Sequence, residues 1–303
     1  MYAQYQYSAG HTAANLLADI GLLLTGTTDK ATLSAGVDQA NTSIWSTDAA
    51  GWSLYDGAAG TNAACYRVAW HDAAQYCYIV IDTNTAGYVL MKGYESWNSG
   101  THTGTNLIYS SDNTTVAQRV NLANGGRLDL LINPYIVGIF SYQSGVYGNS
   151  GASSPYFIAQ RTRITAYDTI AGALPPFVGL NAPMLLNSYG SWYAPRLKNG
   201  NTGASLTAGN AGTYNTSLSA FFSAVGGALP ASTILNASAV LVHYLLPIYL
   251  SYNSHGFTAK LHDSCRLFCT TGSFGFVYDE VTVGASTYRI WTAGAMRYAV
   301  LKG

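Results

Sequence analysis

Charge is scarce in this chain: Asp, Glu, Lys and Arg make up 9% of its 303 residues, against about 25% in an ordinary globular domain. Basic and acidic residues balance at 14 each and form no basic run. Phosphate neutralisation has nothing to work with, so direct nucleic-acid binding is not expected. Long apolar runs are also lacking. The longest, residues 239–250, contains His243 and Pro247 and falls short of the roughly 20 residues that a membrane-spanning helix needs. The opening MYAQYQYSAG has no basic start leading into an apolar core, so it does not read as a signal peptide. These absences predict a soluble protein, made in a cytoplasm, with no membrane partner.

Cysteine is limited to Cys65, Cys77, Cys265 and Cys269. The first two lie in strand-like runs, ACYRVAW and YCYIVID, where a buried thiol is an ordinary core residue. Cys265 and Cys269, taken as lying on one strand, would share a face about 13 Å apart, too far for a disulfide. The paired C-x-x-C spacing of zinc sites is missing.

Catalytic motifs are missing too. There is no Gly-x-Ser-x-Gly elbow, no phosphate-binding GxxxxGK[ST] loop and no GxGxxG after a strand. Two His-Asp pairs, His71-Asp72 and His262-Asp263, resemble metal-hydrolase ligands. Both follow strand-like segments and lack the further helical ligands such a site needs. Glycoside hydrolysis needs two carboxylates about a sugar, for which Asp129, Asp168, Asp279 and Glu280 are among the few candidates. The sequence therefore predicts no catalytic, cofactor-binding or metal-binding residue.

In place of charge stand 24 Tyr and 32 Gly, with 49% hydrophobic and 13% aromatic residues, far above what a disordered chain carries. A surface rich in Tyr, Ser, Thr, Asn and Gly makes hydrogen bonds and amphipathic contacts without desolvating ions. Interface cores are depleted in charge and enriched in Tyr, and net neutrality removes repulsion between copies. The composition points to a protomer of a symmetric homo-oligomer. A secreted sugar-binding or cell-surface β domain has a similar bias. Trp45, Trp52, Trp70, Trp97, Trp192 and Trp291 are read as core or interface residues, with stacking on sugars as the other use of such rings.

One helix is predicted near the start. Leu16, Leu17, Ile20, Leu23 and Leu24 follow the spacing of one buried helical face, with Thr12 as N-cap and Gly26 as stop. A short helical turn is expected within residues 29–41. From Ser43 on, short runs rich in Val, Ile, Tyr and Trp alternate with Gly, Asn, Asp and Thr, the pattern of an antiparallel sheet. Hairpin turns are expected at residues 81–88, at Asn124-Gly125-Gly126 and at Gly284–Ser286. A candidate second helix carries Leu218, Phe221, Phe222 and Val225 on one side. Pro175-Pro176 breaks any ladder and marks the expected boundary between domains 1–172 and 173–303. The predicted fold is mainly β, with antiparallel β-sandwich-like domains, an N-terminal amphipathic helix and a short second helix.

Several segments resemble tailed-bacteriophage virion structural proteins. LLLTGTTDKATLSAGVDQANTSIWSTDAAGWSLYD, with its Gly51-Trp52 pair, resembles their N-terminal module. IDTNTAGYVLMKGYESWNSGTHTGTNL, QRVNLANGGRLDL and RTRITAYDTIAGALPPFVGL resemble successive blocks, and EVTVGASTYRIWTAGAMRYAVLKG a C-terminal hairpin. The resemblance implies a non-enzymatic subunit of the neck, collar, tail or baseplate, located in the virion after assembly in the bacterial cytoplasm. Its partners would be its own copies and other virion proteins. A host-recognition protein contacting glycans, or a capsid decoration protein, is the alternative. On this reading Tyr2, Tyr5 and Tyr7 of the N-terminal tail, and Leu16, Ile20 and Leu23 of the helix, are the candidate subunit-contact residues.

Overall fold

The structure, a computed structural model, describes residues 1–46, 49–69, 76–110, 118–143, 156–163, 177–181, 191–194, 212–215, 233–234, 241–242, 245–246, 249–252, 257–270, 280–293 and 296–303. In chain order these form β1 (Tyr2–Tyr7), α1 (Ala13–Leu24), a 3-10 turn (Lys30–Thr32) and β2 (Ser43–Trp45). Then come β3 (Ser53–Gly60), β4 (Ala63–Ala69), β5 (Tyr76–Asp82), β6 (Tyr88–Asn98), β7 (Thr103–Ser110) and β8 (Gln118–Arg119). Next are β9 (Gly126–Asn133), β10 (Ile136–Gln143), β11 (Tyr156–Arg163), β12 (Phe177–Asn181), β13 (Ser191–Ala194) and β14 (Gly212–Asn215). Short strands follow: β15 (Thr233–Ile234), β16 (Leu241–Val242), β17 (Leu245–Leu246), β18 (Tyr249–Tyr252) and β19 (Phe257–Leu261). The last four are β20 (Leu267–Thr270), β21 (Glu280–Val283), β22 (Ser286–Ala293) and β23 (Met296–Leu301).

The fold is mainly β and antiparallel. A ten-stranded sheet runs β12-β13-β14-β18-β19-β11-β10-β9-β1-β2, a second sheet β3-β4-β5-β6-β7, and a third β17-β20-β23-β22-β21. Alternation explains how the first two sheets share a core. Tyr5 lies opposite Leu128 and Ala3 opposite Leu130, while Val137 and Ile139 lie opposite Ile132 and Leu130. These side chains meet Tyr66, Val68, Cys77, Ile79 and Ile81 of the second sheet in one apolar cluster. The ten-stranded sheet is buried on its other face as well, at Tyr2, Asp129, Leu131 and Phe140. A strand buried on both sides reads as a continuous apolar run, as LLI and IVGIF do in β9 and β10.

α1 closes the same core. Leu16, Ile20, Leu23 and Leu24 are fully buried in it, each contributing about 1.5–3 kcal/mol by removal from water. The Thr12 side chain accepts from the Asn15 amide. At the other end the Thr27 amide donates to the Leu22 carbonyl and the Gly26 amide to Leu23, with Gly26 at φ +102°. That is a Schellman stop, which favours Gly because L side chains rarely adopt such a φ. The expected helix, both its ends and the short turn after it are all present.

One expectation is revised. Cys265 is not on a strand with Cys269: it ends a 3-10 turn, Asp263–Cys265, after which Arg266 adopts a left-handed φ before β20 begins. In the ten-stranded sheet β11 pairs with both β12 and β19. Pro175-Pro176 itself, and the segment with Leu218, Phe221, Phe222 and Val225, lie outside the described residues.

Candidate functional site

The candidate contact residues are interior. Tyr2, Tyr5 and Tyr7 are at most 1% exposed, and Leu16, Ile20 and Leu23 are at 0%. β1 is an inner strand between β9 and β2, and its tyrosines pack inside the chain. Tyr5 enters a buried polar cluster. Its hydroxyl donates to Asp19 Oδ2 at 2.6 Å and lies 2.8 Å from His11 Nε2. Ser34 donates to Asp19 from its amide at 2.8 Å and from Oγ at 2.7 Å.

Ser, His and Asp thus come together in an order unsuited to catalysis. A nucleophilic serine needs its Oγ on the imidazole, whereas Ser34 Oγ donates to the carboxylate and His11 faces Tyr5. The cluster ties β1, α1 and the following turn together. Burial works to raise the Asp19 carboxyl, but hydrogen bonds from His11, Tyr5 and Ser34 outweigh it and hold the carboxyl below its ordinary value.

The other sequence candidates take structural positions. Asp129 accepts from Arg127 Nε at 2.6 Å and from Tyr2 at 2.5 Å. Glu280 accepts from Lys302 at 2.7 Å and from Arg289, and the Lys302 ammonium sits 4.0 Å from the Trp45 ring centroid. His262 caps the 3-10 turn through its Nδ1 and stacks on Tyr135. Trp52 is buried and donates to the Asn133 carbonyl at 3.0 Å. His71, Asp72, Asp168, Asp279 and Trp70, and the side chains of Cys269, Trp192 and Trp291, lie outside the described residues. Cys65, Cys77 and Cys265 are free, buried thiols. Burial pushes Cys65 up to about 12, with the Asp56 charge adding to it, which leaves little reactive thiolate.

The outer face of the second sheet is the feature that sequence reasoning missed. Register puts Ser53, Arg67, Tyr78, Tyr94 and Leu107 in one cross-strand row, and Asp56, Cys65, Val80 and Lys92 in the next. The Arg67 guanidinium lies 4.6 Å from the ring centroids of both Tyr55 and Tyr76, and Tyr78 stands opposite Arg67 across the β4–β5 ladder. Tyr55 and Tyr78 are 5.2 Å apart, and Tyr94 and Trp97 are 5.4 Å apart. Tyr76 and Leu107 are exposed.

Beside this row, buried Asp56 accepts from Trp97 Nε1 and pairs with His102 Nδ1, both at 2.8 Å. His102, 45% exposed, sits at the tip of the β6–β7 hairpin. Burial tends to raise Asp56, but the bonds from His102, Trp97 and the Ala58 amide prevail and lower it. A signal for this face was available: in YCYIVID, Tyr76 and Tyr78 alternate with the core residues Cys77, Ile79 and Ile81, so they must point away from the core.

Among the described residues, no three His, Cys, Asp or Glu side chains gather as metal ligands. No described helix is long and apolar enough to cross a membrane. What the geometry presents is an aromatic face beside an Asp–His pair. The chain matches no protein-family model and no curated protein sequence.

Proposed function

We propose that this chain is a non-enzymatic structural subunit of a tailed-phage particle. Its place would be the neck, collar, tail or baseplate, where it works through contacts with its own copies and with other virion proteins. The observation that carries this reading is where the few charges go. Arg127 pairs with Asp129, and Arg289 and Lys302 with Glu280, within the chain. The surface exposes apolar and aromatic groups such as Leu54, Tyr76, Leu107 and Val283 beside a few charges such as Asp29, Arg119, Asp263 and Arg266. Contacts between such surfaces desolvate few ions. Val283 also belongs to β21, an edge strand of its sheet, and an open edge can pair with a neighbour.

Mass spectrometry of purified particles tests this. Stoichiometric recovery at the portal's copy number or a small multiple of it is the expected result. Absence from particles, with the protein left in the infected-cell cytoplasm, overturns it. Capsid decoration would instead give copy numbers that track the major capsid protein. A second reading, host recognition through glycans, is favoured by one observation, the aromatic face about Arg67.

A further inference from the structure

We infer that the outer face of the β3–β7 sheet is a binding surface for an acidic polysaccharide, with Arg67 as the carboxylate-binding residue. The inference gives a ligand class to the host-recognition reading. Its test uses the purified chain alone, so its failure is distinct from absence of the protein from particles.

Four observations meet at Arg67. First, its guanidinium is held in place: two tyrosine rings lie 4.6 Å from it, and Tyr78 is its cross-strand neighbour. Guanidinium over an aromatic face is favourable and restricts the side chain. Second, both ring contacts supply a π face and no counter-charge. Among the described residues no carboxylate lies within ion-pair distance of it. A rigid fork of N–H donors on a positive group matches a carboxylate in two parallel bonds.

Third, the surface around it suits sugar rings. The row from Arg67 through Tyr78 and Tyr94 to Leu107 crosses three strand spacings, about 15 Å, and is aromatic or apolar throughout. The C–H face of a pyranose is apolar and weakly positive, complementary to the negative face of a tyrosine ring. Fourth, the Asp56–His102–Trp97 group in the neighbouring row holds an exposed imidazole, a hydrogen-bonding partner for hydroxyls. A strip of this length favours an extended polymer over a compact small molecule, which binds in a concave pocket. One clamped arginine on a face of aromatic groups is a poor match to the repeated phosphates of nucleic acid, which require many cations.

Titration calorimetry with a galacturonic acid oligosaccharide tests the inference, with its methyl ester, a neutral dextran oligosaccharide and a poly-glutamate peptide as comparisons. The acidic oligosaccharide is expected to bind, and the ester and dextran to bind more weakly. Arg67→Gln should weaken binding about 10- to 100-fold by loss of charge-assisted bonds. Tyr76→Ala should weaken it too, at a position exposed enough to leave folding intact, whereas Arg119→Gln on β8 should not. Arg67→Lys keeps the charge but loses the fork, and should fall between wild type and Arg67→Gln. No binding of the acidic oligosaccharide, or equal binding by folded Arg67→Gln and Tyr76→Ala proteins, overturns the proposal. So does tighter binding of poly-glutamate, which would mark the face as a site for an acidic protein.

Discussion

Tyr2 and Asp129, 127 positions apart in the chain, meet through a 2.5 Å hydrogen bond in which the phenol donates to a fully buried carboxylate. The same carboxylate accepts from Arg127 Nε at 2.6 Å. The bond joins the first strand to β9 on the face of the ten-stranded sheet turned away from the shared core. Burial, with the Asp129 charge next, raises the Tyr2 phenol well above its ordinary value, so it stays a donor at any physiological pH. Tyr2→Phe removes one donor from a buried acceptor and is expected to cost about 1–3 kcal/mol. Asp129→Ala removes the buried carboxylate that both Tyr2 and Arg127 bond and is expected to cost more, about 3–5 kcal/mol. Urea unfolding reads both, and equal stability of Tyr2→Phe and wild type would refute the first.

Acid should loosen the chain through Asp19 and Asp56. Both carboxyls are held below their ordinary value in the folded protein, which is about 3.9 in an unfolded chain. A depressed native pKa gives stability that is present above the unfolded pKa and is lost as pH falls through the native value. Unfolding free energy is therefore expected to be flat near neutral pH and to drop below about pH 4. Asp19→Asn should lower stability at pH 7 and flatten this acid limb. An unchanged acid limb in Asp19→Asn would show that Asp19 contributes nothing to it.

How much of this was legible in the sequence depends on the range of the contacts involved. The helix of Leu16, Ile20 and Leu23 was legible because its periodicity, Thr12 cap and Gly26 stop are local signals. The strands were legible from alternation, and so was the Gly284 turn. The burial of Tyr2, Tyr5 and Tyr7 was not. A tyrosine-rich terminus reads the same whether it meets another subunit or the chain's own β9, and only a pairing that long in sequence decides between them. Arg67 was hidden for a related reason: its neighbours come from two other strands, Tyr55 from β3 and Tyr76 and Tyr78 from β5, and register alone brings them together. Cys265 was misplaced because the 3-10 turn that ends at it interrupts a segment whose apolar pattern otherwise continues.

The helix ends give a local test. Thr12→Ala removes the acceptor of the Asn15 amide and is expected to cost about 0.5–2 kcal/mol. Gly26→Ala places a Cβ on a residue at φ +102°. It has room, since the nearest neighbour would be Ala50 Cβ at 3.7 Å, so the cost is conformational, about 1 kcal/mol or more. Thermal melts of both variants should fall by a few degrees with native circular dichroism retained. A melt of Gly26→Ala at or above wild type would rule out the strained stop.

Gly51 and Trp52, the pair on which part of the virion resemblance rests, hold the β9–β10 turn from one side. Trp52 Nε1 donates to the Asn133 carbonyl at 3.0 Å. Gly51, at φ +76°, leaves so little space that a Cβ there would lie 2.5 Å from Pro134 Cγ. From the other side, Gln160 Nε2 donates to the Pro134 carbonyl at 2.6 Å and Asn133 Nδ2 to the Ser264 carbonyl at 3.0 Å. The turn thus ties together the entry to β3, β11 and the segment before β20. Trp52→Phe keeps most of the ring volume but leaves the Asn133 carbonyl without this donor, at an expected cost of about 1–3 kcal/mol. Gly51→Ala combines a disfavoured φ with a steric clash against a rigid proline, and should be the more damaging of the two despite adding one methyl group. Chemical denaturation of the pair decides the order: a Gly51→Ala protein more stable than Trp52→Phe would mean that Pro134 yields easily and that the turn is not held from this side.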